Sequence, residues 1–131
     1  MPAAGDYATV DPVSPGDRSG YVFYAINGGS IVPGGQVNLR SEGLRAAAAR
    51  VEGLGSRIEL SGGSINTTGY GAAGVSITTA GAAVLQGTRI QTHGVASSGI
   101  ELAGGTLGAS NVHITTQGGL SHGVSLRGGN A

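Results

Sequence analysis

The amino-acid sequence predicts an all-β fold: a right-handed, single-stranded parallel β-helix, a three-faced solenoid of about four to five coils of 24–26 residues each. Three observations predict it. Four segments share the order aliphatic residue, three polar residues, glycine: Leu39–Gly43, Ile65–Gly69, Ile90–Gly94 and Ile114–Gly118, at successive spacings of 26, 25 and 24 residues. After each of the last three glycines come four residues, then glycine and a β-branched residue: Gly74-Val75, Gly99-Ile100 and Gly123-Val124. A third register mark stands at Leu60 and Leu85, with Ala109 as the weaker match. Each coil therefore offers three short extended segments with glycine-containing corners.

The segments suit strands because they are too short for helices. Val75-Ser76-Ile77, Ile100-Glu101-Leu102 and Val124-Ser125-Leu126 each read apolar, polar, apolar. Strand side chains alternate between faces, so the apolar pair points inward. One coil cannot cover its own apolar side; stacking supplies the ladder bonds and a continuous core. A β-sandwich of hairpins would not need corresponding residues at so regular a spacing.

Taken in order, residues 1–19 hold three Pro and all three Asp and read as an extended or mobile leader, with the helix occupying 20–131. Tyr21–Ile26 then opens the first coil and suits a cap, which an open solenoid end requires. In the first repeat the stretch Leu44–Arg50 is read as a longer insertion of some helix propensity, allowing a turn or two. That reading puts Val51 at the position of Val75 and Ile100, and Arg50 where glycine is expected. Thr67, Thr92 and Thr116 align and should face inward at a corner, satisfying backbone groups. The sequence stops part way through a fifth coil with no capping pattern, which predicts a longer protein truncated at its C-terminal end and end-to-end self-association.

Composition limits the function classes. Seven Arg balance seven acidic residues, Lys is absent, and the Arg are dispersed, so nothing predicts nucleic-acid binding. Without Cys there is no disulfide framework or thiolate metal site. No apolar run reaches 18 residues, so no membrane insertion by this segment is expected, and the N-terminus lacks the pattern of a signal peptide.

The repeat itself, Ile-Thr-Thr-x-Gly, four residues, Gly-Val, strand, Gly-Gly, resembles the passenger domains of bacterial autotransporters, pertactin-like ones in particular. Residues 65–75, 90–100 and 114–124 carry the likeness, which extends over about 20–131. The resemblance implies a right-handed three-faced β-helix at the Gram-negative cell surface, on the outer membrane or secreted. It also implies a signal peptide and a C-terminal membrane barrel, neither present in this sequence. Many such proteins are adhesins or virulence factors, so the expected function is structural or adhesive display, with a host-cell surface protein or glycan as partner. Arg-Gly-Asp is absent; Gly16-Asp17-Arg18 has the same residues in another order.

Candidate site residues are few. Glu52 and Glu101 each follow an inward β-branched residue and should project from one face, with Ser76 between them. Two ladder steps separate such carboxylates by about 9.6 Å, near the upper end of the inverting-glycosidase range. That spacing makes a polysaccharide-acting enzyme the first alternative, although no aromatic platform accompanies it. An ice-binding solenoid is the second alternative, but it wants outward Thr-x-Thr arrays, whereas Thr78-Thr79 and Thr115-Thr116 are adjacent. Tyr70 lies in a turn and could anchor a surface contact. His93, His113 and His122 occupy different repeat positions and read as solvent-facing, so no metal site, cofactor or catalytic residue is assigned.

Overall fold

The computed structural model describes residues 5–9, 23–26, 28–33, 36–42, 47–127 and 129–130. The described strands are, coil by coil, β1 (Gly5–Thr9), β2 (Phe23–Ile26) and β3 (Ser30–Ile31); β4 (Val37–Ser41), β5 (Ala49–Glu52) and β6 (Arg57–Ser61); β7 (Ser64–Thr67), β8 (Val75–Thr78) and β9 (Ala82–Gln86). They continue as β10 (Arg89–Thr92), β11 (Ile100–Ala103) and β12 (Gly105–Ser110), then β13 (His113–Thr116), β14 (Val124–Leu126) and β15 (Gly129–Asn130). All pairings are parallel between strands three apart in sequence order, giving three five-stranded sheets. Sheet A is β1-β4-β7-β10-β13, sheet B β2-β5-β8-β11-β14 and sheet C β3-β6-β9-β12-β15. This is the parallel solenoid expected, and no helix occurs among the described residues.

The register marks stack as the repeat requires. Leu39, Ile65, Ile90 and Ile114 form one column of sheet A. Val75, Ile100 and Val124 form one of sheet B, and Leu60, Leu85 and Ala109 one of sheet C. Leu39, Ile65, Ile90, Val75, Ile100 and Leu85 are buried and belong to a single core. Period-two alternation explains the burial strings directly: β4 alternates buried and exposed along its length, and β6 does the same in the opposite phase.

The first repeat departs from the expected alignment. Ala49, not Val51, pairs with Val75, and Val51 pairs with Ile77. The slip is two residues, so inward positions stay inward, and the β-branched pattern fits either register equally well. Ala49 fills its position because Phe23 stands on the next strand of the same column, a large side chain beside a small one. Ala48 thus takes the place of Gly74, and no extra length precedes β5. Ala47 and Ala48 are not helical and Arg50 lies in β5; the remainder of the proposed turn, 44–46, lies outside the described residues.

With that register, from β4 onward coil length varies at one corner only. The A-to-B corner spans 42–48, 68–74, 93–99 and 117–123, always seven residues. The C-to-A corner spans 62–63, 87–88 and 111–112, always two. Measured to the register row Arg57–Ala82–Thr106, the B-to-C corner shortens from 53–56 to 79–81 to 104–105, which accounts for the spacings of 26, 25 and 24. Non-glycine residues bear the left-handed backbone in the middle version, Thr79 at φ 52° and Ala80 at φ 64°.

The long corner is held from within. Thr67 and Thr92 are fully buried; Thr67 Oγ1 donates to the Ala72 carbonyl at 2.7 Å and Thr92 Oγ1 to the Ser97 carbonyl at 2.5 Å. Thr116 stands in the same column. Ser97 adds a bond between coils: its hydroxyl accepts from the Ala72 N–H at 3.0 Å and donates to the Gly69 carbonyl at 2.9 Å. Ser121 repeats this one coil on, accepting from the Ser97 N–H at 2.9 Å. The glycines of this corner are required by close approach, since a Cβ on Gly94 would overlap the Gly69 carbonyl oxygen.

Gly5–Thr9 lies within the stretch read from sequence as an extended leader. It forms β1 and pairs with β4, Tyr7 standing opposite Leu39. Residues 10–22, Tyr21 and Val22 among them, lie outside the described residues.

Candidate functional site

The outward positions of the three sheets are the surfaces available for recognition. On sheet B they hold a connected polar cluster. Arg50 Nη2 donates to Glu52 Oε1 at 2.8 Å, Tyr24 OH donates to Glu52 Oε2 at 3.3 Å, and Arg50 Nη1 donates to Ser76 Oγ at 3.4 Å. Alternation places these groups on one side, and the arginine stem lies along the sheet over Ser76, which is buried although it points outward. Arg50 and Glu52 keep about a quarter of their side-chain surface, 24% and 25%.

Glu101 is not in the Glu52 column. It pairs with Ser76, which pairs with Arg50, whereas Glu52 pairs with Thr78 and Thr78 with Ala103. Two ladder steps and two residues of offset put the two carboxylate-bearing positions about 12 Å apart. Facing carboxylates of an inverting glycosidase are about 6.5–9.5 Å apart, so the expected Glu52–Ser76–Glu101 row is corrected and with it the geometric ground for the enzyme alternative. Glu101 instead borders a shallow depression shared with Ala103, Ser125 and Arg127.

Tyr70 lies on another edge, in the A-to-B corner, half-exposed beside the similarly exposed Val95 of the next coil. Leu120, one coil further, is also exposed. Tyr70 and Val95 hold the same place in successive corners, and Leu120 stands one place past the equivalent Gly119. His93, His113 and His122 are all exposed. His93 Nδ1 lies 2.7 Å from Gln117 Oε1, and no cluster of three or more His, Asp or Glu able to hold a metal occurs among the described residues. Thr67 and Thr92 face the core, so these aligned Thr do not form the outward array that ice binding needs.

One feature escaped the sequence reading. Each face of one coil bears Arg-x-Glu, and each is an ion pair: Arg40–Glu42 at 2.5 Å, Arg50–Glu52 at 2.8 Å and Arg57–Glu59 at 2.6 Å. Residues two apart on a strand share a face, so the spacing becomes a signal once the outward positions are known. The hydrogen bond from Arg57 to Glu59, reinforced by the carboxylate's charge, raises the Arg57 pKa above its ordinary value.

The chain is 37% identical to the BrkA autotransporter of Bordetella pertussis (strain Tohama I / ATCC BAA-589 / NCTC 13251) over an alignment covering 56% of its residues. That likeness and the stacked repeat point the same way. The chain fits a pertactin-like autotransporter passenger. It spans 8% of the length of that relative. No protein-family profile matches the chain, and no solved structure matches it. Among the described residues no helix is long and apolar enough to cross a membrane.

Proposed function

We propose that this passenger-like solenoid is an adhesive display module, a stiff rod that holds recognition surfaces away from a Gram-negative cell. The observation that supports this reading best is the uninterrupted register of three parallel sheets through successive coils. Such stacking makes a rod that grows about 4.8 Å per coil and leaves three outward faces free of structural duty. The partner is a host-cell surface protein or glycan, and contribution to virulence follows from that contact. Glu52, Glu101 and Tyr70 are surface-contact residues in this reading: Glu52 and Glu101 on one face, Tyr70 on the adjoining edge.

Two measurements test it. On intact cells of the organism that encodes the chain, external protease should remove it without lysis; protection until lysis would refute display. Beads coated with the purified chain should bind epithelial cells better than albumin-coated beads, and equal retention would refute adhesion.

A further inference from the structure

We infer that the outer face of sheet A across β7, β10 and β13 binds an acidic polysaccharide, with Arg89 as the anchoring cation. The argument begins with the ion pairs. Arg40, Arg50 and Arg57 each have a glutamate two residues on, and each is neutralised by it. Arg89-Ile90-Gln91 has the same order, but an amide replaces the carboxylate. Arg89 is exposed, and no ion pair to it occurs among the described residues.

The surroundings extend the same chemistry. His113 is the register neighbour of Arg89 on β13, about 4.8 Å away along the ladder. His93 follows on the outward side of β10 and is bonded to Gln117. Asn66 flanks Gln91 in the next column. The remaining outward positions of these rows carry hydroxyls, so the patch presents cationic and hydrogen-bonding groups with neither a carboxylate nor an aliphatic side chain. The acidic positions of sheet A lie at a distance: Glu42 is two coils from His93 in register and bound to Arg40, and Asp6 occupies the register position beyond Asn38. Two coils are about one Debye length at physiological salt.

A flat, wet grid of this kind suits a chain of hydroxyls carrying periodic anions. The guanidinium can take a carboxylate or sulfate bidentately, while amides and imidazoles bond the ring hydroxyls. On sheets B and C the strand arginines are already satisfied by Glu52 and Glu59, and Arg127, just past β14, shares its depression with the carboxylate of Glu101.

The site gives particular content to the adhesive reading and rests on it only for its biological use. Heparin is the probe, measured by calorimetry on the 131-residue chain at low salt, with neutral dextran as control. Heparin should bind and dextran should not. Arg89→Gln should weaken heparin about tenfold, the loss of one charge-assisted contact, while Arg57→Gln on sheet C leaves it unchanged. Circular dichroism of Arg89→Gln should match the parent. Absence of heparin binding, or parental affinity in Arg89→Gln, overturns the inference and leaves surface display standing; failure of the protease test refutes display and leaves the glycan face standing.

Discussion

Replacing Thr92 by valine isolates the worth of the internal hydroxyl column. The side chain is fully buried, and its hydroxyl donates to the Ser97 carbonyl at 2.5 Å within the same corner. Valine keeps the shape and the branched Cβ that strands favour, so no cavity opens. What is lost is a donor to a buried carbonyl, which costs about 1–3 kcal/mol. Thr92→Ser reverses the experiment: the hydroxyl stays and one methyl goes, at about 1 kcal/mol. Urea unfolding followed by far-ultraviolet dichroism should place Thr92→Val about 2 kcal/mol below the parent with an unchanged denaturant slope, and Thr92→Ser between the two. If Thr92→Val is as stable as the parent, or if Thr92→Ser is the weaker variant, the column is packing and not hydrogen bonding.

Further substitutions probe the other parts of the fold. Gly94→Ala should destabilise by about 2–3 kcal/mol or more, because the added methyl meets the Gly69 carbonyl and lies 2.8 Å from Ser97 Oγ; thermal unfolding would show it. Ala80→Gly should stabilise by about 0.5–1 kcal/mol, since relief of a left-handed alanine outweighs the added chain entropy; a lowered melting temperature would contradict this. Ile90→Ala, at the centre of the sheet A column, should cost about 2–5 kcal/mol in the same urea assay. Glu52→Gln should cost about 1 kcal/mol by loosening Arg50 and Tyr24, whereas Glu101→Gln should stay within about 0.5 kcal/mol; equal losses would show that Glu101 has a partner of similar weight.

The columns Leu39–Ile65–Ile90–Ile114 and Val75–Ile100–Val124 were legible because a parallel stack repeats its inward side chains at every coil. The inward threonines were legible for the same reason. The register of the first repeat was not, because a two-residue shift preserves which side faces in, and Ala49 carries no apolar signal until Phe23 is seen beside it. β1 was hidden by the Pro and Asp around it; its pairing with β4, Tyr7 opposite Leu39 in register, spans a sequence separation no local pattern reveals. The candidate site was the least legible. Glu52 and Glu101 seemed aligned only under the slipped register, and the ion pairs needed facing, not spacing alone, to be recognised.

The unequal corner has a practical meaning. From β4 onward the B-to-C turn changes length while the inward columns stay in phase, so segments added there leave those columns undisturbed. A foreign epitope grafted between Thr78 and Ala82 should therefore be carried on an otherwise unaltered stack of coils.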